Sequence, residues 1–234
     1  MNKLQQNPIL ECEEKEKIKV ILPFEKVGEY YVEKLGDIPS KPVYNFMKRL
    51  LDVVISIFAL CIFLIPMVII AIAIKCVSEG TVFYCQERLG LNGKKIQVIK
   101  FRTMTMDAES NGAQWSDGEI DPRIFPLGYK LRQSRLDELP QFWCILKGDM
   151  SLVGPRPERE CFHNEFETYI HGFSERLKVK PGLTGLAQVK GGYYLKPEEK
   201  VAYDVQYIKI RSIGLDLKLI FKTVGVVIGH KGAK

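Results

Sequence analysis

Residues 53–74 read VVISIFALCIFLIPMVIIAIAI, 22 consecutive residues without a charge. Coiled into a helix, this run would be about 33 Å long, against roughly 30 Å for the hydrocarbon core of a bilayer. It begins too far into the chain, and runs too long, for the apolar region of a secretory signal, and no small-residue cleavage site follows it. A core helix of a soluble protein seldom stays apolar on every face for this length. The run therefore reads as a membrane segment, with residues 44–51 as an amphipathic lead-in.

Its flanks bear on how it sits. Lys41, Lys48 and Arg49 precede it, and Lys75, Arg88, Lys94, Lys95, Lys100 and Arg102 follow it. A true span carries its Lys and Arg mainly on one side, yet both flanks here are basic. Pro66 interrupts the run after 13 residues and leaves eight. Proline removes a helical hydrogen bond and crowds the preceding turn, which predicts a kink near residues 61–66. A helix that enters and leaves by one leaflet satisfies both features; a straight span with a mild proline kink is the alternative.

The rest of the chain is polar enough to hide this run. Of 234 residues, 46% are hydrophobic and 26% charged, with a mean hydropathy of -0.05. These values exclude a wholly disordered chain, a multi-span bundle and a disulfide-dense miniature protein. The net charge of +6 is also a composite. Residues 1–40 carry six Lys and eight acidic residues, a net of -2, which leaves +8 on the remainder. A basic surface suits an anionic partner such as a nucleotide or anionic lipid. The six cysteines show no C-x-x-C pair, which suits reduced thiols in a cytoplasmic compartment.

Outward from the apolar run, residues 1–40 read as a polar extension, with IKVILPF (18–24) as a short strand. Residues 81–102 alternate apolar and polar around LGLNGKK and predict a β-hairpin. Residues 107–126 form a loop. Residues 127–146 read as helix interrupted at Pro140, residues 158–171 as a further helix, and residues 180–192 as a glycine-rich loop and strand. Residues 196–211 have helical spacing. The apolar stretch 215–228 contains Asp216, Lys218 and Lys222, so it is expected in a core or along a membrane surface.

Chemistry is concentrated in R-Q-S-R-L-D-E-L-P-Q (132–141). Two adjacent carboxylates, Asp137 and Glu138, follow two arginines. Neighbours on a helix point about 100° apart, so the two cannot do the same work. One could act as nucleophile or base while the other holds a cation; a plain solvated helix face is the alternative. Lys100 and Arg102 alternate on a predicted strand and can share a face. Arg156 stands between prolines in G-P-R-P, and an arginine fork suits phosphate oxygens. Together these residues suit a diphosphate with a divalent cation, and oxygen ligands favour magnesium. Neither G-x-x-x-x-G-K-[ST] nor G-x-G-x-x-G occurs. Asp107 and Glu109, at the edge of the loop, read as solvent-facing, and His163, His171 and His230 lack metal spacing.

Five ordered blocks follow the apolar run: QERLGLNGKK (86–95), KFRTM (100–104), LDELPQ (136–141), LKGDMSLVGPRP (146–157) and KPGLTGLAQV (180–189). With them the chain resembles the bacterial sugar transferases, the monotopic polyprenyl-phosphate phosphoglycosyl transferases, over about residues 44–234. It resembles the short members rather than those preceded by a four-helix membrane bundle. The resemblance implies transfer of a sugar-1-phosphate from a UDP-sugar to undecaprenyl phosphate, with release of UMP and a covalent phosphosugar intermediate on Asp137. Glu138 would bind Mg2+. Lys100, Arg102, Arg132 and Arg156 would contact phosphate, with Asp204 a weaker match. The family's re-entrant helix breaks at Ser-Pro; here the pair is Ile65-Pro66, and Ser56 and Cys61 are the nearest polar alternatives to the serine.

The fold expected is α+β: a small, mostly helical catalytic domain (77–234) with a short β-hairpin, behind a re-entrant membrane helix (44–76) and a polar extension (1–43), with amphipathic interfacial helices. The partners implied are a UDP-sugar, polyprenyl phosphate and the phospholipid bilayer, without nucleic acid; a homodimer is left open. The location implied is the cytoplasmic face of the inner membrane. The alternatives are a non-catalytic membrane-tethered adaptor for polysaccharide-assembly enzymes and a glycosyltransferase that moves the sugar alone and leaves UDP.

Overall fold

A computed structural model describes residues 20–21, 28–110, 112–114, 121–191 and 195–228. Most of the expected extension, part of the loop before residue 121, and His230 lie outside the described residues. Within IKVILPF only Val20–Ile21 is described, as strand β1. A second two-residue strand, β2 (Tyr30–Tyr31), follows.

The apolar run is the body of one helix, α1 (Pro42–Val77), 36 residues long. Pro42 starts it, in the first turn where a missing N–H costs nothing. Lys75 in the last turn suits the negative end of the helix dipole. The helix continues through Pro66, so the two arms read from the sequence belong to one element. Asp52, Ser56, Ala59 and Ile74 are buried, and Ile55, Phe63, Met67, Ile70 and Ala71 pack partly buried against the rest of the protein. Their spacing of three and four residues makes one stripe along the helix. The opposite face exposes Phe46, Leu50, Val54, Phe58, Ile62, Ile65, Ile69 and Ile72. Neither supposed partner of the break lies at Pro66: Ser56 is fully buried ten residues earlier, and Cys61 is exposed.

Both ends of α1 are fastened to the same domain. Near its start, Asp52 Oδ1 accepts from the Leu152 N–H at 2.9 Å and the Ser151 hydroxyl at 3.1 Å. Arg49 donates to the Ile145 and Leu146 carbonyls at 2.8 and 2.7 Å, capping the end of a helix described below. At the other end Ile74 is buried with Phe101, Phe125 and Leu131. Gly80, at φ 105°, then turns the chain back, and a Cβ there would meet Met106 at 2.6 Å.

The expected hairpin is present as β3 (Phe83–Leu89) and β4 (Lys95–Phe101), antiparallel from Phe83 opposite Phe101 to Leu89 opposite Lys95. On one face Phe83 and Phe101 stack 5.3 Å apart. The other face presents Tyr84, Gln86, Arg88 and Lys100, while Ile96 and Val98 are buried in the main core with Cys144 and Ile145. After β5 (Ala113–Gln114), which pairs with β1, comes α2 (Pro126–Gln133). The helix expected to break at Pro140 breaks earlier, at Arg135, whose φ of 55° is left-handed. A 3-10 turn, Leu136–Glu138, follows, then α3 (Gln141–Lys147). Pro140 is not a breaker here: it sits at the start of α3, where its missing N–H is harmless.

Next come β6 (Ser151–Val153), α4 (Glu160–Glu167) and β7 (Ile170–His171), which pairs with β2. The helix α4 is shorter than the sequence predicts. The glycine-rich stretch gives β8 (Gly182–Thr184), parallel to β6, and the short helix α5 (Leu186–Lys190). A Cβ on Gly182 would lie 2.1 Å from the Gly154 nitrogen, so this crossing admits only glycine. Two helices finish the fold, α6 (Pro197–Ile210) and α7 (Ile213–Ile228). α7 meets the core expectation for its stretch through Leu219, while Phe221 and Val224 are exposed. Its Asp216 is buried but satisfied by Lys48 and the Tyr44 hydroxyl, each at 2.9 Å, and the Tyr207 hydroxyl at 2.8 Å.

Candidate active site

The open face of the hairpin, the 3-10 turn and the segments after β6 enclose a cavity of about 390 Å3. Its wall carries ten cationic side chains and four carboxylates. So positive a lining suits a ligand with several negative charges.

Asp137 and Glu138 are both 6% exposed, which removes the solvated-face reading. The short turn between α2 and α3 presents them, and its left-handed entry at Arg135 costs about 1–2 kcal/mol for a non-glycine residue. Strain of this kind is held at a site by the structure around it. Glu138 Oε1 accepts from Lys100 Nζ at 2.9 Å and from Arg156 Nη2. Burial would push the Glu138 carboxyl up, but Arg156 and Lys100 outweigh it and hold it well below the usual carboxylate range. Asp137 takes no ion pair among the described residues. Burial pushes its carboxyl up, to about 6; the charges of Lys100, Arg132 and Arg156 oppose the shift, and that of Glu138 adds to it. The environments thus divide the two acids: Glu138 is a fixed anion, and Asp137 is an uncommitted carboxylate.

The other sequence-predicted residues divide as well. Lys100, Arg102, Arg132 and Arg156 all line the cavity. Arg132 is steadied by Nε donating to the Thr103 hydroxyl at 2.9 Å. Arg102 is 4% exposed, and its guanidinium donates to the Thr81 carbonyl and to the Ser78 hydroxyl and carbonyl. Its forks tie the end of α1 to the hairpin. Asp204 lies behind the wall, 1% exposed, and receives Arg176 Nε at 2.9 Å and Nη2 at 2.7 Å. Pro66 is on α1, away from the cavity lining.

Sequence reasoning missed Arg88, Arg159, Arg176 and Lys200, all of which line the cavity. They come from β3, the segment before α4, a 3-10 turn and α6, and no local pattern unites them. Glu109, read as solvent-facing, lies on the cavity rim and pairs with Arg159 at 2.7 Å. Its neighbour Asp107 is exposed as expected.

Among the described residues no group of three or more His, Cys, Asp or Glu could hold a metal. A caged metal such as structural zinc does not fit. Glu138, an ionised carboxylate on the cavity wall, is the kind of oxygen ligand that suits magnesium, which takes one or two carboxylates and completes its shell with water and substrate phosphate.

A family model described as bacterial sugar transferase matches residues 43–230. The chain is 38% identical over 213 residues to a UDP-N-acetylgalactosamine-undecaprenyl-phosphate N-acetylgalactosaminephosphotransferase of Aeromonas hydrophila, covering 89% of this chain and 50% of that one. It is 40% identical over 206 residues to a UDP-glucose:undecaprenyl-phosphate glucose-1-phosphate transferase of Klebsiella pneumoniae, covering 86% and 44%. It thus spans about half the length of these two relatives. Against the exopolysaccharide production protein ExoY of Sinorhizobium fredii the identity is 36% over 208 residues, covering 82% and 90%.

Proposed function

The chain belongs to the bacterial sugar transferase family, and on that premise we propose that it transfers a sugar-1-phosphate from a UDP-sugar to polyprenyl phosphate and releases UMP. The observation that carries this reading is the division of the dyad: a buried Asp137 that has no ion pair among the described residues, beside a Glu138 already fixed by Lys100 and Arg156. In the first step an Asp137 oxygen attacks the phosphorus that bears the sugar. The bond from that phosphorus to the bridging oxygen breaks, and UMP leaves with the electron pair. In the second step an oxygen of polyprenyl phosphate attacks the same phosphorus, and the Asp137 carboxylate leaves. A carboxylate is an established nucleophile for such covalent steps. Lys100, Arg132 and Arg156 stand where they can balance charge growing on the diphosphate. Glu138 would hold Mg2+, which neutralises phosphate charge when bound.

The membrane placement proposed draws its support from α1. Asp52 and Ile74 are about 33 Å apart along a helix, yet both pack on one domain. This supports a helix whose two flanks meet the same leaflet, bent at Pro66, where the N–H that would bond the Ile62 carbonyl is missing. The soluble nucleotide then reaches the site from the cytoplasm, and the lipid phosphate reaches it from the bilayer surface.

The test is chemical. Purified protein with Mg2+ and polyprenyl phosphate is offered UDP-glucose, UDP-galactose and UDP-N-acetylgalactosamine, and UMP is measured. UMP release with wild type, and none with Asp137→Asn, is expected. Radiolabel from the sugar should stay on wild-type protein when the lipid is withheld. UDP in place of UMP would establish a glycosyltransferase, and no nucleotide release would favour the adaptor.

A further inference from the structure

The segment that carries Arg156 is held almost entirely by its carbonyls. Pro155 and Pro157 have no N–H, so half of the four residues from Pro155 to Glu158 can only accept. All four carbonyls are taken. Pro155 O accepts from Gly182 N at 2.8 Å, Arg156 O from Arg176 Nη2 at 2.9 Å, Pro157 O from Arg88 Nη1 at 3.0 Å, and Glu158 O from Leu89 N at 2.9 Å. The two side-chain donors are themselves fixed. Arg176 is 3% exposed, bonded to Asp204 and lying over the Phe173 ring at 4.9 Å. Arg88 is bonded to Gln86 and paired with Glu158 at 3.5 Å.

We propose that Arg176, seated by Asp204, and Arg88 are positioning residues that act on the reaction through Arg156, setting where its guanidinium meets Glu138. Their forks are spent on the backbone of the strap and on buried carboxylates. Asp204 then acts on the dyad through two intervening residues, Arg176 and Arg156, and not as a phosphate contact. The proposal rests on the transfer reaction above.

Arg176→Lys separates the roles. A lysine can keep its charge against Asp204, but one ammonium on a flexible stem cannot hold the Arg156 carbonyl in the same fixed fork. With the best UDP-sugar of the panel, kcat should fall roughly 10- to 100-fold, as displaced catalytic groups do, while KM for the UDP-sugar stays within about twofold. In an Arg156→Ala background the same change should do nothing further. A raised KM with kcat intact, or effects of the two changes that multiply in full, would make Arg176 a direct substrate contact and overturn the proposal. Thermal melts accompany each variant. If Arg176→Lys fails to fold, Arg88→Lys is put through the same cycle with the same two outcomes. A wild type that releases no UMP from any UDP-sugar would instead count against the transfer reaction.

Discussion

Lys100 Nζ lies 2.9 Å from Glu138 Oε1, and this contact joins the hairpin to the turn that carries the dyad. Lys100 also lowers the pKa of Asp137 against the effect of burial. Lys100→Met should therefore do two things. Glu138 keeps Arg156, so the fold survives; Asp137 loses an opposing charge, so its carboxyl moves further up. At pH 7 kcat/KM should drop at least about tenfold, and part of the loss should return at higher pH. A pH-rate profile whose acid limb coincides with that of wild type would remove Lys100 from the control of Asp137.

The wild-type profile has its own expected shape. A nucleophilic carboxylate must be ionised, and burial pushes Asp137 up to about 6. Activity should therefore rise with pH through about 6. Stability runs the other way for this group: its folded pKa exceeds the usual 3.8, so the folded state binds more protons between those values and loses stability as pH rises across them. Glu138 has the opposite sign. Its depressed pKa contributes stability that is present above the ordinary 4.5 and lost as acid protonates it. Asp137→Asn should therefore be inactive yet melt higher than wild type at pH 7, by about 2–4 °C for each kcal/mol relieved. Scanning calorimetry of the two proteins at pH 7 and pH 4 checks both signs, with the gap narrowing at the lower pH.

What could be read from the sequence was what is local. The apolar run, the alternation of the hairpin and the Asp137-Glu138 turn each lie within a few residues, and their periods or residue types are explicit. The break before the dyad was misplaced because a left-handed Arg135 leaves no mark in composition, whereas Pro140 does. Arg88, Arg176 and Lys200 are dispersed over more than a hundred positions, and only the packing of β3, the 3-10 turn after β7 and α6 brings them to one wall. The same holds for Asp52 and Asp216. Each is an isolated acid at the start of an apolar stretch, and long-range partners bury it.

Asp52 gives a stability prediction. It accepts the Leu152 N–H and the Ser151 hydroxyl inside the contact between α1 and β6. Asp52→Ala leaves both donors buried without an acceptor, at about 1–3 kcal/mol for each group left unsatisfied. Asp52→Asn keeps an acceptor oxygen and should cost less. Melting in detergent should rank wild type above Asn above Ala. Equal losses for the two variants would mean that the charge, and not the hydrogen bonds, holds the helix.

The last prediction concerns which leaflet the flanks of α1 face. Ser40, just before α1, and Cys76, in its last turn, are exposed at the two ends of the helix. With the remaining cysteines replaced by serine, a protein carrying Ser40→Cys and another keeping only Cys76 can be labelled in sealed inverted and right-side-out vesicles with an impermeant maleimide. If Asp52 and Ile74 stay on one domain in the bilayer, as their packing requires, both thiols react in inverted vesicles and neither reacts in the other orientation. Labelling of the two from opposite sides would establish a straight span. It would also require the contacts of Arg49 and Asp52 with α3 and β6 to break on insertion, because a polar domain cannot follow the helix through hydrocarbon.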